Sequence, residues 1–128
     1  MSQTLFLRRV LALDSLSCLL MGLLMAFGAA MLAPMFGLGE PLIRTAALLL
    51  LPVAAFIGWL ASRPFPSRPL VWVVILGNLG WAAESFAVIA QHQPTALGTA
   101  FVSAQALAVF GLAGLEYVGL KRMQAQAV

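Results

Sequence analysis

Glu84 sits far from any other charge, inside a long apolar run, with Asn78, Trp81 and Ser85 around it at helical spacing. Residues three and four apart share one face of a helix, so these four side chains form a polar stripe. An ionisable group in a membrane-spanning segment is expensive, and it marks either an interhelical contact or a binding site. The stripe is therefore expected to point into a helix bundle. There Glu84 either pairs with Arg44 of the preceding helix or is held neutral by a proton. Gln105 lies at a similar expected depth to Asn78, and an amide–amide bond between them would satisfy both side chains. Together Glu84, Asn78, Trp81, Gln105 and Arg44 are the candidate ligand-binding residues. Glu116 lies eleven residues after Gln105 and shares its face, near enough to Lys121 and Arg122 to be expected at the membrane interface.

A second set is Asp14, Cys18, Met21 and Met25, which fall in line at about 100° per residue. A carboxylate, a thiol and two thioethers on one face have the donor chemistry of a soft-ion site such as one for Cu(I). The plainer reading is preferred. Cysteine and methionine are ordinary packing residues, and Asp14 reaches back to the interface beside Arg8 or Arg9. No metal and no cofactor are expected. One cysteine allows no intrachain disulfide, and one histidine allows no haem held by two histidines in a single chain. That histidine, His92, is expected in a solvated loop. The sequence holds none of the H-E-x-x-H, G-x-S-x-G or glycine-rich phosphate-loop motifs, so an enzyme is not expected.

The elements that must position these residues follow from composition. The chain is 62% hydrophobic and 9% charged, against about 25% charged in soluble domains. The fold class is all-α: a polytopic four-helix transmembrane bundle, forming a single domain. A spanning helix needs about 20 apolar residues, and the runs 10–33, 42–61, 70–90 and 95–120 qualify. The first is too long for the apolar part of a signal peptide, which is about 7–15 residues. Pro34 with Gly37 and Gly39 should stop the first helix, and Pro41 and Pro94 should open the second and fourth. The proline-rich stretch 62–69 should be extended, and short connections should make sequential helices neighbours. Arg8, Arg9, Arg63, Arg68, Lys121 and Arg122 would share one side of an alternating topology, with Arg44 alone on the other. That bias implies an up-down-up-down bundle with both termini in the cytoplasm. The formal charge of +3 is thus accounted for by topology, and no nucleic-acid partner is expected. Ala100, Ala104, Ala108 and Gly111 form a stripe of small residues suited to close packing, within the bundle or between subunits.

The stretch Gly77-Asn78-Leu79-Gly80-Trp81 with Ser85, the run Pro94 to Val102 with Gln105-Ala106, and Glu116-Tyr117-Val118-Gly119-Leu120-Lys121-Arg122 carry a resemblance. They resemble a group of small bacterial four-helix membrane proteins known only as hypothetical, over most of the chain. The resemblance implies a bacterial inner membrane and assigns no activity or site. In size the chain is also similar to small multidrug resistance transporters, with Asp14 loosely where that family keeps a carboxylate. The family's aromatic motif is missing here, and the charge bias argues against dual topology. The expectation is a non-enzymatic accessory or self-associating subunit, with membrane lipids, a second copy or another membrane protein as partners. The alternative is a small transporter or hydrophobic-ligand binder using the polar face of the third helix.

Overall fold

The computed structural model describes residues 2–127. The described residues are all-helical, in four helices: α1 (Ser2–Phe36), α2 (Glu40–Ala61), α3 (Arg68–His92) and α4 (Ala96–Ala127). Each is long and apolar enough to cross a membrane.

The helix ends differ from the expectation in ways that move the depth of everything between them. α1 runs through Pro34, which costs it one backbone bond but not its course. It stops where Gly37 turns to φ +67° and the Leu38 N–H reaches back to the Ala33 carbonyl at 3.2 Å, the closure expected of a left-handed residue after the last turn. The end of α1 and the start of α2 are thereby joined by three residues. α3 takes Arg68 and Pro69 into its first turn, behind Ser67. The connection from α2 is therefore not extended over 62–69. Its first half is tight, with the Ser62 N–H bonded to Gly58 and Trp59 and the Arg63 N–H bonded to Leu60. α4 is capped by Thr95, whose hydroxyl accepts the Gly98 N–H at 3.1 Å. α1 begins eight residues before the expected start and α4 continues seven beyond the expected end.

Around the bundle the order is α2, α1, α4, α3, and α2 and α3 scarcely touch. Short loops do not make that pair neighbours as expected, and a gap remains between them. The other contacts are close. The Ser15 hydroxyl donates to the Ala54 carbonyl at 2.7 Å, over Gly58, where a Cβ would come within 2.9 Å of that hydroxyl oxygen. The small residues Ala54 and Gly58, one turn apart on α2, thus let α1 come close. Arg8 Nε donates to the Ala61 carbonyl at 3.0 Å, so the start of α1 meets the end of α2. At the other end of α1, Thr95 clamps its last turn: the Thr95 hydroxyl donates to the Met35 carbonyl at 2.7 Å and its N–H to the Phe36 carbonyl at 3.0 Å. Phe36 stacks on Phe101, and Gly98 lies directly against the Phe36 backbone. Leu7, Leu11, Ile57, Leu60, Val71 and Leu120 form the main apolar core. Large apolar residues such as Phe27, Leu48 and Leu107 cover the outside, as lipid contact requires.

Candidate functional site

Three helices send a polar group to one point. Asn78 of α3 donates through its amide nitrogen to Asp14 Oδ2 of α1 at 2.7 Å and to Glu116 Oε1 of α4 at 2.8 Å. Asp14 is 1%, Glu116 0% and Asn78 7% exposed. The Cys18 thiol, one turn along α1, donates to Asp14 Oδ1 at 3.6 Å. The second Glu116 oxygen, Oε2, is buried and has no partner among the described residues. At 1.5 Å per residue, Asp14 lies about 18 Å from the start of α1 and Glu116 about 16 Å from the end of α4. Both are mid-helix positions.

This arrangement overturns three expectations. Asp14 does not reach back to Arg8 or Arg9, since Arg8 is engaged with Ala61. Glu116 does not meet Lys121 or Arg122, which lie over the rings of Tyr117 and Phe6. Asn78 does not bond Gln105, because both of its amide contacts go to carboxyl groups. The physical cause is helix length. With α1 and α4 extended at the end that carries Arg8, Arg9, Lys121 and Arg122, positions expected at the interface become interior. The one sequence signal was the shared face of Gln105 and Glu116, which places Glu116 toward the bundle whatever its depth.

Gln105 serves a second polar group. Its Oε1 accepts from Trp81 Nε1 at 3.0 Å, and its Nε2 donates to the Ser85 hydroxyl at 2.8 Å. Ser85 in turn donates to the Trp81 carbonyl at 2.8 Å. Trp81, Ser85 and Gln105 thus close a ring of bonds between α3 and α4. Glu84 stands apart from it, exposed and in no ion pair among the described residues. The expected Glu84–Arg44 pair does not form. Arg44 takes Glu40, one turn before it on its own helix, and both are well exposed. The stripe on α3 therefore divides. Asn78 goes to the carboxyl pair, Trp81 and Ser85 go to Gln105, and Glu84 is left over.

Two cavities run beside these groups. One of about 550 Å³ is lined from all four helices, including Asp14, Cys18, Asn78, Trp81 and Gln105. Its wall includes exposed Val53 on α2 and exposed Val73 and Gly77 on α3, the two helices that scarcely touch. The other, of about 250 Å³, lies toward the α1–α2 connection and is lined by Glu84, Ser85, Val88 and Leu42 among others. Met21, Trp81, Phe101 and Gln105 line both.

Of the soft-ligand face, Asp14 and Cys18 are brought together, while Met21 and Met25 pack against the apolar core and line cavity walls. Among the described residues no three His, Cys, Asp or Glu side chains are grouped to hold a metal ion. The small-residue stripe does not pack within the bundle: Ala100, Ala104, Ala108 and Gly111 are exposed, and Ala104 and Ala108 line the larger cavity. The chain matches no family model, no curated protein and no solved structure.

Proposed function

We propose that this protein binds a small apolar or amphipathic molecule within its four-helix bundle, as a carrier or binding protein of the membrane. The observation that carries this reading is the cavity of about 550 Å³, walled by all four helices and polar only at Asp14, Ser17, Cys18, Asn78, Trp81 and Gln105. Ligand sites have about 300–1,000 Å³, mostly apolar walls and a few placed polar groups. A bundle whose only task is association gains nothing from such a space, because unfilled volume forfeits packing energy. The gap between α2 and α3 offers entry from the side, where an apolar ligand would be dissolved in lipid. No catalysis is part of the reading.

The charge bias supports an up-down-up-down arrangement with both termini in the cytoplasm. Trp59, Trp72 and Tyr117, each partly exposed at that end, fit the interfacial belt. The resemblance to small bacterial four-helix proteins supports an inner-membrane location. A second reading, the accessory or self-associating subunit, is favoured by one observation. Ala100 and Gly111 on α4 are exposed, and a stripe of small residues facing outward suits a helix from another subunit.

Equilibrium binding tests the first reading. A neutral arene such as aminoanthracene should bind the purified full chain saturably, and Ala104→Phe, which fills cavity space, should weaken it while the protein still folds. Uptake no greater than that of empty micelles would overturn the reading.

A further inference from the structure

We propose that the ligand is an anionic phospholipid, its phosphate held by Arg63 with Arg8 and Arg68 beside it, and one acyl chain laid along Trp59, Phe56 and Val53 into the larger cavity. This rests on the ligand-binding reading above and names the chemistry of the molecule bound.

The polar groups of the cavity wall are engaged with one another or with backbone. Asn78 donates to Asp14 at 2.7 Å, the Cys18 thiol to Asp14 at 3.6 Å, Trp81 to Gln105 at 3.0 Å and Ser17 to the Leu13 carbonyl at 2.9 Å. Such a wall demands no polar partner, and the rest of the lining is apolar. The part of a ligand that lies inside is therefore apolar, and its polar part is recognised elsewhere. Arginines supply that recognition. Arg8, Arg9, Arg63, Arg68, Lys121 and Arg122 gather at the end where α2 leads into α3, and no acid lies with them. Asp14 and Glu116 are buried mid-helix, Glu40 opens α2 at the other end, and Glu84 lies in the second half of α3. None of the six cations is in an ion pair among the described residues. Basic groups beside spanning helices bind anionic headgroups, and a guanidinium fork matches phosphate with two parallel bonds. Arg8 Nε donates to the Ala61 carbonyl at 3.0 Å, which brings a second guanidinium to the end of α2, two residues from Arg63. Arg68 opens α3 across the connection.

A continuous track joins the arginines to the cavity. The Arg63 guanidinium lies over the Trp59 ring at 5.4 Å, that ring stacks on Phe56 at 6.3 Å, and Phe56 and Val53 line the cavity. Val53, Phe56 and Trp59 are three residues apart in turn, so they share one face of α2. Across the gap stands Gly77 of α3, where a Cβ would meet nothing within 4 Å. The length also fits. On α4 the lining runs from Phe101 to Leu112, about 16 Å at 1.5 Å per residue. The hydrocarbon of one leaflet is about 15 Å deep, half of the bilayer core. A chain entering sideways between α2 and α3 thus reaches Trp81 while its phosphate stays at the interface beside Arg63.

Competition between two lipids of equal chains tests this. Phosphatidylglycerol and phosphatidylcholine are offered to the full chain in detergent, and bound lipid is counted by native mass spectrometry. Glycerol phosphate is the anion without a chain, and aminoanthracene reports on the cavity. One phosphatidylglycerol should be held per chain, at least tenfold tighter than phosphatidylcholine, and it should displace the arene. Glycerol phosphate should bind at least a hundredfold more weakly. Arg63→Gln should abolish the preference for the anionic lipid. Arg9→Gln, at the same end, should change it less than threefold, which separates a seat at Arg63 from the general attraction of a basic surface. Gly77→Leu, which fills the gap, should weaken both lipids and the arene. Lipid bound without preference for the anion, equal loss with Arg9→Gln, or an arene left in place by saturating phosphatidylglycerol would overturn this assignment and leave the cavity reading standing. So would glycerol phosphate binding as tightly as the lipid, the mark of a site for free phosphate. Failure of the arene to bind would overturn the cavity reading and remove the seat of the chain.

Discussion

Replacing Asn78 with leucine removes the one amide on which α1, α3 and α4 converge, at little change of volume. Two bonds are lost, at 2.7 and 2.8 Å, and Asp14 Oδ2 and Glu116 Oε1 join Glu116 Oε2 as buried oxygens without a donor. Interhelical polar contacts in membranes average about 0.6 kcal/mol each, which sets a floor near 1 kcal/mol for the two. Bonds to charged groups are worth about 1.5–3 kcal/mol each, which sets a ceiling near 6 kcal/mol. The near-complete burial of both acids argues for the middle of that range, about 3 kcal/mol. The assay is unfolding in mixed micelles with rising dodecyl sulfate, followed by helicity. Glu116→Gln is the matched control. It keeps an oxygen for Asn78 and turns the orphan oxygen into an amide donor beside Asp14, so its cost should be far smaller than that of Asn78→Leu. A loss under about 0.5 kcal/mol for Asn78→Leu, within the range of an ordinary surface change, would refute the claim that these bonds tie the helices. So would a Glu116→Gln loss equal to that of Asn78→Leu.

Other perturbations probe separate parts of the structure. Gly98→Ala places a methyl group into the Phe36 backbone and should cost about 1–3 kcal/mol in the same unfolding assay; a neutral result would mean that α1 and α4 do not meet there. Arg44→Ala should cost no more than about 0.5 kcal/mol, as for an exposed pair one helical turn apart. Combined with Glu84→Gln its effect should simply add, and coupling between the two would restore the ion pair that the structure lacks. Cysteines placed at Gly39, where a Cβ has room, and at His92 should react with an impermeant maleimide from the periplasmic side of a bacterial host, and cysteines at Arg63 or Arg68 should not. The reverse pattern would invert the proposed topology.

The four helices were legible because apolar runs of spanning length admit few other structures. The partners of the polar residues were not, and the reasons are specific. Pro34 reads as a stop, yet a proline in the last turn of α1 removes one bond and leaves the helix intact up to Gly37, where φ turns positive. Arg8 and Lys121 read as boundary markers, yet α1 and α4 run past them, which carries Asp14 and Glu116 inward. Which carboxyl group meets Asn78 depends on the rotation and offset of three helices at once, and periodicity within one helix fixes neither. Arg44 had two acids in range, and the one on its own helix won, because an i, i+4 contact needs no tertiary alignment. Of the stripe Asn78, Trp81, Glu84 and Ser85, three members meet partners on other helices while Glu84 is exposed, and the gap between α2 and α3 that opens the cavity has no sequence signature.

The central claim is that a ligand occupies the space beside Trp81, and one fluorophore reports on it directly. The chain has three tryptophans, of which Trp81 alone lines the cavities, while Trp59 and Trp72 lie toward the end where α2 leads into α3. With Trp59→Phe and Trp72→Phe in place, Trp81 emission is followed as an apolar quencher is added to the reconstituted protein. The account predicts quenching that saturates at one quencher per chain and is competed by aminoanthracene. Quenching that rises without limit in proportion to the quencher dissolved in lipid, untouched by the competitor, would contradict it.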